Sequence, residues 1–136
     1  MMKSPAEIVR LMLENDAYSN WLGICVQEIN EGFCKISLQV NASMLNGFQI
    51  AHGGITYALA DSCLAFAANS FGNKAVSIDT TISHLKKVSL NDVLMAESEL
   101  INKGKKVGVY LVHIKNQENE RVALFKGHVH FSSEIW

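Results

Sequence analysis

Residues Asn46 to Ser70 read NGFQIAHGGITYALADSCLAFAANS. The glycine pair Gly53-Gly54 opens a run that is apolar on nearly every side, which predicts one long helix. A helix that is hydrophobic all round has to be covered on all sides. At about 100° per residue, Ile55, Leu59, Cys63 and Phe66 share one face, the side to bury against the rest of the chain. Asp61 falls on a different side, with Tyr57, Ala58, Ala65 and Ala68 around it. Those neighbours are mostly small, so another backbone or a ligand could approach closely there. The expectation is a carboxylate in a shallow apolar groove, where an ionised acid is costly to desolvate.

Outward from this helix the pattern changes. Upstream, ICVQEI and FCKISLQV are strand-like runs joined by Asn30-Glu31-Gly32, a turn signal, and predict an antiparallel hairpin. Downstream, KAVSIDTTISHL sets Val76, Ile78, Thr80 and Ile82 against Ser77, Asp79, Thr81 and Ser83, the pattern of a half-buried strand. VLMAESELIN, KVGVYLVHIKN and RVALFKGHVHFSS follow as further antiparallel strands, separated by Lys103-Gly104-Lys105 and by Gln117 to Glu120. At the N-terminus, Ser4, Pro5 and Glu7 form the pattern of a capping box with proline at the first helical position. Ile8, Leu11 and Met12 then recur at helical spacing, and that helix is expected to end near Asn15.

The predicted order is helix, two strands, long helix, four strands. It reads as an α+β fold in which one antiparallel sheet and one long central helix bury each other. Residues 1–136 are expected to form a single domain, with 1–20 as an N-terminal helical segment. A curved sheet covers only part of such a helix, so a second subunit is expected over the remainder.

Composition removes several classes. The chain has 136 residues, 49% of them hydrophobic, and a net charge of −1. That is a globular composition without the basic field that nucleic acid requires. Glu7, Arg10 and Glu14 interrupt the N-terminal apolar run, so no signal peptide and no membrane span is expected. Cys25, Cys34 and Cys63 are odd in number and show no C-x-x-C spacing. Buried, inert thiols in a reducing cytoplasm are the expectation.

The helix start carries chemistry of its own. Backbone N–H groups at Gly53 and Gly54 are unobstructed by side chains, and a helix N-terminus attracts negative charge. A carbonyl oxygen could reach them, which describes an oxyanion hole. Asp61 lies about 10 Å down the axis from Gly54. An aspartate side chain cannot close that gap. If a second copy of the helix packs antiparallel alongside, Asp61 of one chain approaches the glycine pair of the other, giving a composite site across a two-fold interface.

The pattern N-x5-HGG-x6-D, formed by Asn46, His52, Gly53, Gly54 and Asp61, closely resembles the hotdog-fold acyl-CoA thioesterases of the PaaI type, the phenylacetate-degradation thioesterases. The Ser77-Ile78-Asp79 triplet and the element order are similar as well, and the resemblance runs from about Trp21 to Phe131. It implies a hotdog fold, an antiparallel sheet wrapped around one long central helix. It implies Asp61 as nucleophile or as general base for water, and Gly53 or Gly54 as donor to the thioester carbonyl. By the same resemblance His52 supports that loop, Asn46 helps to hold water or orient the thioester, and Ser77 assists near the carboxylate. The family places Asp61 and the glycine loop on different subunits and usually assembles as tetramers built from pairs of dimers. The implied substrate is an acyl-CoA, aromatic such as phenylacetyl or medium-chain, with no cofactor and no metal. Tyr57, Leu64 and Phe48 are candidates for the acyl lining. Lys86 and Lys87, within a lysine set that includes Lys103, Lys105 and Lys106, read either as a charged rim or as a landing site for the phosphates of coenzyme A.

Competing readings stand beside these. Asn46-Gly47 is also an ordinary turn. His52 serves equally as a loop histidine bonded to backbone. The face that Ser77 presents is not set by parity alone. His128 and His130 share a strand face with Lys126 at a spacing that suits a metal, but no third ligand stands near them in sequence. The alternatives in function are a non-catalytic acyl-CoA-binding regulatory protein of the same fold, or an enoyl-CoA hydratase or dehydratase, which ordinarily depends on a differently placed histidine and acid.

Overall fold

The structure, a computed structural model, describes residues 2–136. Helix α1 spans Pro5–Glu14, with Glu7 N–H donating to Ser4 Oγ at 3.2 Å and Ser4 N–H to Glu7 Oε2 at 3.1 Å. The capping box predicted there is formed, and Asn15 caps the other end. A short helix, α2, follows at Ala17–Trp21, started by Asp16, whose Oδ1 accepts from Ser19 N–H at 2.9 Å. Its five residues are too few to show a periodicity.

Strands β1 (Cys25–Asn30) and β2 (Phe33–Gln39) form the predicted hairpin. Its turn needs glycine: Gly32 has φ +77°, donates its N–H to Ser70 Oγ at 2.7 Å and accepts from Tyr110 Oη at 3.0 Å. The central helix α3 runs Gly53–Asn69. Then come β3 (Asn73–His84), β4 (Val93–Lys103), β5 (Val107–Lys115) and β6 (Arg121–Ile135). All pairings are antiparallel in one six-stranded sheet, ordered β1-β2-β4-β5-β6-β3.

This sheet curls around α3. Ile55, Leu59, Cys63 and Phe66 are all buried, as the helical phase requires, and Leu64 joins them. Removing a side chain the size of Leu or Phe from water contributes about 1.5–3 kcal/mol. Truncating one such residue, as in Leu59→Ala, costs about 2–5 kcal/mol. Where β6 crosses the helix a glycine allows close approach: a Cβ on Gly127 would stand 2.6 Å from Leu64 Cδ2, and that side chain would have to shift.

Several expectations are corrected. Ala58 and Ala68 are buried instead of edging the groove; of the small neighbours of Asp61, Ala65 alone stays part-exposed. Cys25 is exposed because β1 is a sheet edge, while Cys34 and Cys63 are buried. The alternation along β3 is broken. The register shifts between Ser77 and Asp79, and Val76 and Ile78 are 66% and 58% exposed. Ser77 pairs with buried Val129, and Thr80 and Ile82 pair with Gly127 and buried Phe125. The inner face therefore carries Ala75 and Ser77 before the bulge and Thr80 and Ile82 after it. A bulge does this by inserting one extra residue, here Ile78, into the edge strand.

Candidate active site

Three hydrogen-bonded devices build the loop that leads into α3. Asn46 Oδ1 accepts from Phe48 N–H at 2.9 Å and Ile50 N–H at 3.4 Å. Asn46 N–H donates to the Ile50 carbonyl at 2.8 Å, and Gln49 adopts φ +61° to close the turn. Further along, Ala51 N–H donates to the Val88 carbonyl and His52 N–H to the Met44 carbonyl, each at 2.8 Å. The loop is thus pinned on both sides before the helix begins. The turn reading of Asn46 describes its Oδ1, while its amide NH₂ finds no acceptor among the described residues.

His52 is the N-cap of α3. Its Nδ1 accepts from Gly54 N–H at 2.9 Å, which puts the ring proton of the neutral imidazole on Nε2. Ile55 N–H donates to the His52 carbonyl at 2.9 Å. Gly53 N–H has no acceptor among the described residues. The two glycines are therefore not equivalent. Gly54 is occupied by the cap, and Gly53 presents an unpaired donor at the positive end of a helix of 17 residues.

A cavity of about 320 Å³ opens over this donor, lined by Asn46, Gly53, Thr56, His84, Lys86 and Lys87, among others. Thr56 Oγ donates to the Gly53 carbonyl at 3.0 Å and lies 3.3 Å from His84 Nδ1. With the threonine proton directed at Gly53, His84 Nδ1 is the donor of that pair, and Nε2 turns toward Gly53. A Cβ on Gly53 would stand 3.2 Å from this Nε2. Sequence reading passed over His84 and Thr56, because nothing in spacing says that the end of β3 returns to the start of α3. Lys86 is bound to Glu120, and Lys87 shares the rim.

Asp61 lies two turns further along α3. It is partly buried in a second cavity of about 230 Å³, together with Ser77, Leu64, Ala65, Asn69 and Val129, among others. Desolvation pushes its carboxyl above the ordinary 3.8, and the nearby charge of Asp16 adds to the rise. Asp16 is held in place by Ser19, whose hydroxyl donates to Oδ2 at 2.6 Å and accepts from Ser62, 2.9 Å away and next to Asp61 in the chain. The β3 bulge brings Ser77 into this cavity.

The two cavities share no lining residue. Asn46, Gly53, Lys86 and Lys87 gather in one; Asp61, Ser77 and Leu64 gather in the other. Within one protomer the acid and the free donor are separated by about 12 Å along the helix. Tyr57 lines neither cavity: its hydroxyl bonds Thr80 Oγ1 and its ring stands edge-on to Phe125, centroids 5.5 Å apart. Phe48 is 85% exposed at the tip of the loop. His128 points to the outer face of the sheet, 3.9 Å from Asp79.

Residues 48–123 match the family model described as the thioesterase superfamily, a span that contains Gly53, Asp61 and Ser77. The chain belongs to the thioesterase superfamily. This thioesterase is 43% identical to the acyl-coenzyme A thioesterase PaaI of Escherichia coli strain K12 over 119 residues, 88% of this chain and 85% of the relative. The solved structure of the E. coli PaaI protein from the phenylacetic acid degradation operon matches with a TM-score of 0.94 at 39% identity, covering 96% of this chain and 95% of that one. A hypothetical thioesterase from Streptococcus pneumoniae TIGR4, solved with coenzyme A, matches with a TM-score of 0.86 at 26% identity, over 93% and 98% of the two chains. The thioesterase has the hotdog fold and is a thioester hydrolase. Among the described residues, no helix is long and apolar enough to cross a membrane.

Proposed function

We propose that the thioesterase hydrolyses acyl-CoA to a free acid and CoA at a site shared between two copies of the chain, with Asp61 from one and Gly53 from the other. The observation that carries this reading is the separation just described. An acid with a raised pKa and an unpaired helix N-terminal donor lie on one helix, too far apart to act on one thioester. Two α3 helices packed antiparallel would bring each Asp61 to the partner's Gly53. The exposed Val76 and Ile78 on edge strand β3, beside Ser77, supply an apolar margin for that association.

In this reading the thioester carbonyl lies against Gly53 N–H. Asp61 either attacks the carbonyl carbon or removes a proton from the water that does. Negative charge builds on the carbonyl oxygen, where Gly53 N–H and the helix dipole stabilise it. The intermediate collapses with loss of the CoA thiolate; where water attacked this gives the acid directly, and where Asp61 attacked it gives an acyl-aspartyl anhydride that water hydrolyses to the acid and free Asp61. Burial makes Asp61 a poorly solvated and therefore stronger base. His52 holds Gly54 so that Gly53 alone faces the substrate, Asn46 offers its free amide, and Ser77 sits beside the carboxylate. Lys86 and Lys87 rim the donor cavity, where CoA phosphates would be received. The chemistry needs no metal and no cofactor.

The whole of 1–136 acts as one domain in this reading, in the cytoplasm, and the dimer pairs further into a tetramer. The three free cysteines accord with a reducing compartment. The test is thiol release from aryl and straight-chain acyl-CoAs by wild type and by Asp61→Asn. Turnover by wild type with near-complete loss in the variant is expected. If wild type cleaves no acyl-CoA but binds it, the chain is a binding protein and the proposal fails.

A further inference from the structure

Apart from the Asp61 carboxylate and Ser77, the cavity at Asp61 has three kinds of wall. Asn69 stands in it, 2% exposed, and its amide is fully engaged. Nδ2 donates to the Ala65 and Ala75 carbonyls at 2.8 and 3.0 Å, while Oδ1 accepts from Ala75 N–H at 2.9 Å and Trp136 Nε1 at 2.8 Å. Two donors and two lone pairs are the whole capacity of an amide. This wall therefore has nothing to offer a polar group, and a hydroxylated or charged acyl end placed against it would lose water without replacement. Leu64, Ala75 and Val129 form the second kind of wall. They belong to α3 and to paired strands, and Leu64 is wedged against Gly127. None of them has room to move in a close-packed interior.

Met12 is the third kind. It belongs to α1, outside the span that matches the family model, and reaches across to the cavity that holds Asp61. Its helix is anchored by Ile8 and Val9, which are buried, while Met12 itself stays partly exposed. An unbranched thioether with three rotatable bonds adapts to what lies against it. The cavity measures about 230 Å³. A cavity of about 150 Å³ is enough for benzene, so the space suits one ring with a short linker, or an aliphatic chain of similar bulk.

From this the geometry points to Met12 as the residue that sets how large an apolar acyl group the Asp61 cavity accepts. The inference rests on the acyl-CoA reading given above. It makes the N-terminal segment a specificity element in addition to a structural cover.

The experiment compares wild type, Met12→Ala, Met12→Leu and Met12→Phe on acetyl-, hexanoyl-, decanoyl- and phenylacetyl-CoA. The readout is the ratio of kcat/KM between decanoyl- and hexanoyl-CoA, in which a loss of folded protein cancels. Met12→Ala should raise that ratio about tenfold, and Met12→Phe should lower it by a similar factor, the range that a few methylenes command in an apolar pocket. Met12→Leu, nearly isosteric, should stay within about twofold of wild type. Wild-type turnover with the same ratio in the Ala and Phe variants, or with both shifted in one direction, overturns the role of Met12 and leaves the acyl-CoA reading intact. Failure of wild type to cleave any of the four esters overturns the acyl-CoA reading, and the role of Met12 with it.

Discussion

The two cavities along α3 are made differently. At the first, the Gly53 donor is set by hydrogen bonds that hold the loop backbone: an Asx turn at Asn46, a histidine cap, and loop N–H groups tied to Val88 and Met44. The one at Asp61 is built by side chains brought together from α1, α3, β3 and β6. Backbone hydrogen bonds fix an atom in space, as a donor aimed at a developing oxyanion must be fixed. Side-chain walls fix a volume and a polarity, which govern the strength of an acid and the size of a ligand. The first cavity should therefore answer to substitution by losing rate with little change in preference. The second should answer in pKa and in selectivity.

The largest expected effect is at the carboxylate. Asp61→Asn keeps the shape and removes the proposed base or nucleophile, and kcat should fall about a thousandfold or more in thiol-release assays. A smaller loss would shift the weight of catalysis to the Gly53 end. Next comes Gly53→Pro, which deletes one N–H at the first helical position, where proline is tolerated and His52 already has ψ 138°. Loss of the proposed oxyanion donor should cost about a hundredfold in kcat. His84 Nε2, 3.2 Å from the new Cβ position, has to give slightly. An unaltered KM would mark the loss as one of transition-state stabilisation.

The pH dependence separates the two ends more finely. Burial first, and Asp16 second, raise the Asp61 pKa, so its ionised form is lost as pH falls through a value above the ordinary 3.8. The acid limb of kcat/KM should lie above that value, and Asp16→Asn should move it downward. Stability runs the other way. Because the folded chain holds this proton more tightly than the unfolded chain, stability declines as pH rises from the unfolded pKa through the folded one. Asp61→Asn should thus raise Tm at neutral pH, and the gain should vanish below pH 3.8. No such gain would mean that the carboxylate is better solvated than its surroundings imply. The smallest effect is His52→Ala. Removing the cap leaves Gly54 N–H unpaired and should cost about 1 kcal/mol in denaturant unfolding. If the cap also positions Gly53, kcat should fall with it.

Much of the fold was legible because its signals are local. The capping box at Ser4 and Glu7, the hairpin turn at Gly32 and the mostly apolar run from Ile55 to Phe66 each announce themselves within a few residues. The bulge at Ile78 does not. Val76 to Ile82 still alternates in sequence, and the slip exists only against β6, which alone decides that Ser77 faces the helix. Asp61, the glycine pair and the separation between them were also readable from helical rise. Which glycine carries the free donor was not, because that depends on where the His52 ring turns. Met12 and His84 reach their cavities through tertiary packing, and no spacing rule foretells it.

The shared site is tested most directly by mixing two inactive proteins. Asp61→Asn and Gly53→Pro are each expected to be nearly inactive alone. In a mixed dimer one of the two sites unites the intact Asp61 of one chain with the intact Gly53 of the other. Co-refolded or co-expressed, the pair should recover a substantial share of wild-type thiol release. If mixed oligomers form and the activity stays at the sum of the two parents, each site lies within one protomer and the shared arrangement is wrong.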